Sequence, residues 1–331
     1  MTTAAGGQQQ ESSGGALSVV ALGGGHGLAT TLGAVRGYAG ALTAVVSVAD
    51  DGGSSGRLRR TTGIPAPGDL RRCLVALADP ESLWARAMEH RFRSGDLEGH
   101  ALGNLVIAGL AEVTGDFGAA LDAAARLLGV TARVLPATAV PVSLKADAGG
   151  SEVLGQVNVM SSSVPISQVW IVPPDAPAPA GVVDAVTAAD QVVLGPGSLF
   201  TSVLATCVVP DVHRALAGRA AGTVYVCNLR PQVPETAGFA PADHLHALLD
   251  HGVAVHTVVV DEGAFGAGRD PDPTAARADL DRLASASGIE VRVAPLAGPG
   301  RTAHDRVALR GLLASLAGGG ATDWMDGGPI G

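Results

Sequence analysis

The chain has no long apolar run, no cysteine pairs and no surplus of basic residues, and each absence removes a class of protein. No stretch of the 331 residues approaches the ~18 uninterrupted apolar positions of a membrane-crossing helix. Cys73, Cys207 and Cys227 are widely separated and odd in number, so neither a disulfide framework nor a CxxC metal site can be read from them. They are expected to be small buried hydrophobes in a reducing compartment. Lys and Arg total 22 against 31 Asp and Glu, a net charge of −9, which excludes a general affinity for nucleic acid or anionic membrane. Any anionic ligand must therefore be held by local features. Lys145 is the single lysine, an arginine bias that a GC-rich genome produces without selection at any one site. The opening MTTAAGGQQQESSGG lacks the basic start and apolar core of a signal peptide. It reads as a disordered lead-in (residues 1–15), as GGGATDWMDGGPIG reads as a disordered tail (318–331), and the protein is expected in the cytoplasm.

What is present suffices for a large core: 47% of residues are hydrophobic and 16% charged, so general disorder is excluded. A single domain is expected over residues 16–317. From Ala16, ALSVVAL reads as a buried strand that stops at Gly23, Gly24 and Gly25. A helix is expected over 28–38 and a second strand, LTAVVSVA, over 42–49, which makes the βαβ unit of a parallel sheet. GDLRRCLVALAD is predicted as a helix capped by Asp69, and GHALGNLVIAGLAEVTGD as a buried central helix. Strand signals recur at 168–173, 191–195, 222–228, 253–260 and 289–295, alternating with helical patterns. That alternation predicts an α/β fold, Rossmann-like and doubly wound around a mainly parallel sheet. Segment 131–170 shows no helical pattern and is expected to be a β-rich excursion or small lobe.

In such sheets ligands bind beyond the carboxyl ends of the strands, where strand order reverses. Three glycine-bearing turns fall on that edge: GGGHGL at 23–28, ADDGGSSGRLR at 49–59 and LGPGSLFTS at 194–202. The first opens a helix whose amides can cradle a diphosphate, although Leu28 stands where a GxGxxG fingerprint has its third glycine. His26 could touch phosphate or simply face solvent. In the third turn Pro196 stiffens the chain, Gly195 and Gly197 admit close backbone approach, and Ser198 could cap the next helix or bind a ligand oxygen. Asp50 and Asp51 could hold a divalent ion such as Mg2+, take a ribose hydroxyl, or form a solvated turn. Gly52 to Gly56 then read as a loop able to close over a nucleotide. Between Arg57 and Arg93 eight arginines stand against four acids, a local excess suited to a bidentate grip on phosphate. His100 could cap the central helix.

In this order, GGGHGL, VADDGGSSGRLR, PGDLRRCLVALAD, GHALGN, ADQVVLGPGSLFTS and NLRPQVPETAGF resemble the YvcK-type gluconeogenesis factors. These belong to the superfamily of the 2-phospho-L-lactate transferase of deazaflavin coenzyme synthesis. The resemblance implies a cytoplasmic regulator that binds UDP-N-acetylglucosamine and governs cell-wall precursor supply and cell shape in gluconeogenic growth. A magnesium-dependent phospholactyl transferase is the alternative. The expected partners are a UDP-sugar, a regulated enzyme of amino-sugar synthesis and further copies of the chain, with no nucleic acid and no membrane. Carried across by motif, the ligand would meet Gly24, Gly25, His26, Gly27 and Leu28, then Asp50, Asp51, Gly52, Gly53 and Ser54. Gly68, Asp69, Asn104, Gly195, Pro196, Gly197, Ser198, Asn228 and Gln232 complete the implied set. Asn104 lies inside an apolar helix, where an unpaired amide is costly, so a ligand or a neighbouring loop should pair it. Toward the C-terminus the resemblance leads one to expect an aromatic residue and an arginine where Leu283 and Ala303 stand. His304 and Asp305 are kept, and Arg301 lies two residues before Ala303.

Overall fold

The structure is a computed structural model and describes residues 16–219, 221–268 and 272–318. The expected lead-in, and the tail after Gly318, lie outside the described residues. Among the described residues there are ten strands: β1 (Ser18–Gly23), β2 (Ala41–Val46), β3 (Arg133–Pro136), β4 (Ser143–Ala148), β5 (Ser151–Leu154), β6 (Ile166–Val172), β7 (Gln191–Leu194), β8 (Thr223–Val226), β9 (Thr257–Asp261) and β10 (Glu290–Ala294). Seven form one sheet in the order β10-β9-β8-β7-β1-β2-β3, with every neighbouring pair parallel. The other three form a small antiparallel sheet, β5-β4-β6. The large sheet grows outward from β1 in both directions, so strand order reverses between β1 and β7.

Along β7, β8 and β9 successive residues enter opposite cores: Val192, Tyr225 and Val258 one, Val193, Val224 and Val259 the other. Burial on both faces explains why these strands read as unbroken apolar runs and not as alternating patterns. The expected Rossmann-like, doubly wound class is therefore the observed one. Five helices shape the ligand edge: α1 (Gly25–Val35), α2 (Gly53–Thr62), α3 (Gly68–Leu77), α4 (Leu83–Glu89) and α5 (Leu102–Thr114).

Several local expectations shift. The first helix starts at Gly25 and not at residue 28, because its opening Gly-His-Gly carries no apolar periodicity to mark it. The stretch 52–56 is no loop: α2 begins at Gly53 after an extended Gly52, and ends at Gly63 in the left-handed conformation with Arg59 and Arg60 in its last turn. Cations there complement the negative helix end, while the small Ser54, Ser55 and Gly56 are buried. The small sheet spans Ser143–Val172, later at both ends than the expected excursion. Residues Arg133–Pro136 join the large sheet as its edge, and the strand expected near 168–173 pairs antiparallel with β4. A helix of one turn, Gln156–Met160, sits within the excursion and is too short to show a 3.6-residue pattern.

Candidate functional site

The carboxyl ends of β1 and β7 lie side by side, with Leu22 opposite Leu194. Their two glycine turns interlock so closely that a Cβ on Gly27 would fall 2.2 Å from the carbonyl oxygen of Pro196. Thr31 Oγ1 crosses the same seam and donates to the Gly195 carbonyl at 2.7 Å. Beside this seam opens a cleft of about 460 Å³. It continues into a second chamber of about 710 Å³, and the two share His26, Gly27, Met160, Gly197, Ser198 and Gln232.

Helix N-termini converge on the cleft, but two are already occupied by carboxylates. Asp69 does not cap its own helix; it sits in the first turn of α3 and reaches across, accepting the Gly25 amide at 2.8 Å and Arg72 at 2.7 Å. Burial raises its pKa, Arg72 pulls it down, and neighbouring Asp50 pushes it up again. The π-helical turn Leu199–Leu204 is capped by Glu235, not by Ser198 at its N-cap position. The Glu235 carboxylate accepts the amides of Phe200 and Thr201 at 2.8 and 2.9 Å, and burial raises its pKa against those hydrogen bonds. The start of α2 differs. No side chain caps it, and Gly53, Ser54 and Ser55 line the cleft together with Arg71, Arg72 and Arg91. Asp50 Oδ1 takes the Gly52 amide at 2.9 Å, ahead of the helix proper.

Asp50 and Asp51 part company. Adjacent residues of an extended segment point to opposite sides. Asp51 turns away from the cleft and accepts the amides of Gln156 and Val157 at 3.1 and 3.0 Å, capping the short helix of the excursion. Arg59 strengthens this tie by donating to the Val142 carbonyl and, at 2.7 Å, to Ser143 Oγ. The expected carboxylate pair is thus replaced by Asp50 and Asp69, which flank Gly68 and act on each other electrostatically. Among the described residues no group of three or more His, Cys, Asp or Glu is arranged to hold a metal ion. Asp51 and Asp69 have both oxygens hydrogen-bonded, which leaves Asp50 as a single carboxylate. That donor set fits a magnesium ion carried on nucleotide phosphates and does not fit an all-protein cage.

Ser54 Oγ is a meeting point. It bonds Asn104 Nδ2 at 3.0 Å, His100 Nδ1 at 3.1 Å and the Ala101 amide at 3.4 Å. His100 therefore does not cap α5, whose N-cap is Ala101, and burial, then Arg57 and Arg91, hold its pKa below the ordinary value. Asn104 is 2% exposed and half satisfied: its Oδ1 has no partner. Asn228 bonds Gly197 twice, its Oδ1 accepting the Gly197 amide at 3.0 Å and its Nδ2 donating to the Gly197 carbonyl at 2.9 Å, and so pins the third glycine turn.

Most residues expected from the sequence line one chamber or the other. Gly24, Gly25, His26, Gly27, Asp50, Gly52, Gly53, Ser54, Gly68, Asp69, Asn104, Gly197, Ser198 and Gln232 line the first; Pro196 and Asn228 line the second. Leu28, Asp51 and Gly195 line neither: Leu28 is buried in the core, Asp51 holds the excursion, and Gly195 braces α1. The sequence did not single out Gln156, Val157 and Met160, the cleft wall supplied by the excursion, because nothing local joins them to the glycine turns. Nor did it single out Glu235. In the second chamber Ala303 is accompanied by Arg301 and His304. Arg301 pairs with buried Asp261 at 2.5 Å, whereas Leu283 packs on the core away from the chamber.

A parallel α/β sheet with interlocked glycine turns and an open helix N-terminus at its switch point defines a Rossmann-like protein with its cleft on the carboxyl edge. The chain belongs to the CofD family: the family model for 2-phospho-L-lactate transferase CofD matches residues 19–297. A Mycobacterium tuberculosis (strain CDC 1551 / Oshkosh) protein, provisionally named a gluconeogenesis factor, is 44% identical over 309 residues, 89% of each chain. The gluconeogenesis factor of Halalkalibacterium halodurans is 41% identical over 241 residues, 72% of this chain and 75% of that one. A crystal structure of a UPF0052-family protein from Bacillus halodurans matches with a TM-score of 0.82 at 34% identity, covering 91% of this chain and 99% of the other. The family resemblance carried by the motifs is therefore confirmed.

Proposed function

We propose that the protein is a cytoplasmic regulator that binds a UDP-sugar, UDP-N-acetylglucosamine, in the two-chambered cleft. The observation that carries this reading is the uncapped N-terminus of α2, whose first residues face the cleft beside Arg71, Arg72 and Arg91 while the two neighbouring helix ends hold carboxylates. Diphosphate would sit at the open end, where backbone amides, helix dipole and guanidinium groups act together. Asp50 would meet the ribose or a magnesium ion on the phosphates, and the half-satisfied Asn104 would gain its missing partner. The second chamber provides room for the remaining ring.

Occupancy would be felt by the excursion, which Asp51 and Arg59 fasten to both ends of the α2 segment. Through that surface the protein would regulate an enzyme of amino-sugar synthesis, as a homo-oligomer, and so influence cell-wall supply and shape during gluconeogenic growth. Calorimetric titration with UDP-N-acetylglucosamine, with and without magnesium, is expected to show saturable binding that Ser54→Ala weakens. No heat in either condition overturns the proposal. The family model favours one other reading, a phospholactyl transferase. Product formation from a guanylyl phospholactate donor and a deazaflavin acceptor would establish it instead.

A further inference from the structure

A separate pocket of about 710 Å³ lies between α1, α3, α4 and the helix Arg306–Ala317. It shares no residue with either chamber. We propose that this pocket binds a small phosphorylated metabolite without a nucleobase, through Arg36, Arg86 and Arg306.

Three arginines line one pocket from three different helices: Arg36 at the C-cap of α1, Arg86 in the last turn of α4, and Arg306 at the start of its helix. Among the described residues none of the three enters an ion pair. In an acidic protein of net charge −9, three exposed arginines brought together around a single acid are a local exception. Glu89 is the single acid of the lining, and its carboxylate is already held by Arg71 at 3.2 Å. Like charges gathered around a concavity repel, and a phosphate dianion gripped by planar, bidentate guanidinium groups removes that repulsion.

Arg306 carries the second argument. It opens its own helix, whose first amides, at Val307 and Ala308, are already capped by the Asp305 carboxylate. Although exposed, it is seated against α1, for its guanidinium lies 3.1 to 3.2 Å from where a Cβ on Gly33 would stand. One turn along, Arg310 lies over Gly37 in the same way, 2.6 Å from the corresponding point. Gly33 in α1 and Gly37 just beyond it thus leave a flat bed that orients the arginine row.

The rest of the lining indicates the size and kind of ligand. Val75, Ala76, Ala78 and Ala85 make an apolar floor suited to a short carbon skeleton. Among the described residues no aromatic lines the pocket, so a nucleobase would find none of them on which to stack. A phosphate on a chain of a few carbons fills both requirements, and glycerol 3-phosphate is a suitable probe.

Glycerol 3-phosphate should be titrated calorimetrically at constant ionic strength into the full chain, the Arg36→Gln/Arg86→Gln variant and Ser54→Ala. Arg36 and Arg86 are exposed, so the double variant should keep the wild-type melting temperature and circular dichroism. The expected result is saturable binding that the double variant weakens by about tenfold or more, and that Ser54→Ala, which alters only the cleft, leaves unchanged. Each single variant, Arg36→Gln or Arg86→Gln, should give an intermediate loss. Absence of binding to the wild-type chain, or equal affinity in the double variant, overturns the proposal. Loss of binding in Ser54→Ala alone would place the phosphate in the cleft and overturn it too. The UDP-sugar titration described above is independent of this result.

Discussion

The Asp69 carboxylate accepts the Gly25 amide at 2.8 Å, so an acid from α3 fills the positive end of α1. One of the amides that GGGHGL could offer to a diphosphate is thereby already engaged, and in the proposed binding mode the anion would sit at the start of α2. Asp69→Ala is expected to lower stability by about 1–3 kcal/mol, since the Gly25 amide and the Arg72 guanidinium both lose an acceptor. Asp69→Asn, which keeps one oxygen, should cost less. Urea unfolding of the three proteins measures the difference.

Asp50 and Asp51 should separate functionally although they are neighbours. Asp51→Ala frees the amides of Gln156 and Val157, and hydrogen exchange at those two positions should accelerate with a stability loss of about 1–2 kcal/mol. Asp50→Asn should leave that exchange unchanged and weaken UDP-sugar binding. Equal exchange in wild type and Asp51→Ala would show that the carboxylate does not hold the excursion.

Gly25 and Gly27 are predicted to fail for different reasons. At Gly25 φ is +61° and nothing lies within 4 Å of an added Cβ, so Gly25→Ala should cost only the ~1–2 kcal/mol of a left-handed residue. At Gly27 the Cβ meets the Pro196 carbonyl, and the two turns must separate. Gly27→Ala should abolish ligand binding as well as reduce the melting temperature, whereas Gly25→Ala should retain measurable affinity.

Buried His244 gives stability a defined pH dependence. It is hydrogen-bonded to Tyr225 at 2.9 Å, and burial lowers its pKa from 6.5 to about 4. Between these values the unfolded chain binds a proton that the folded one refuses. Its contribution is therefore complete above pH 6.5 and declines as pH falls toward 4, by up to about 3 kcal/mol. His304, also lowered to about 4 by burial, adds to the same trend. Denaturation midpoints at several pH values should fall across this window, and His244→Gln should flatten the profile.

The fold was legible because its signals are local and periodic. β1, β7, β8 and β9 are short β-branched runs ended by turns, and those patterns require no knowledge of partners. Placement of side chains beyond the backbone was less legible. Nothing in VADDGG distinguishes the carboxylate that faces the cleft from the one that grips the excursion, because Gln156 and Val157 lie more than a hundred residues further on. Glu235 escaped notice for the same reason: its partners, Phe200 and Thr201, are 35 and 34 residues earlier. Asn104 illustrates the middle case. Its cost inside an apolar helix was readable, whereas its partner Ser54 was not.

The seam between the first and third glycine turns joins Thr31 to Gly195, positions 164 residues apart. A ribosome must therefore have delivered more than half of the chain before the two walls of the cleft can meet. Closing so long a loop is entropically slow compared with forming the neighbouring β1–β2 pair. Ligand can lend its binding energy only to molecules in which β7 has already docked beside β1. A ligand bound in the proposed cleft would thus favour chains that have completed this long-range pairing, and would have no hold on a nascent chain that still lacks β7.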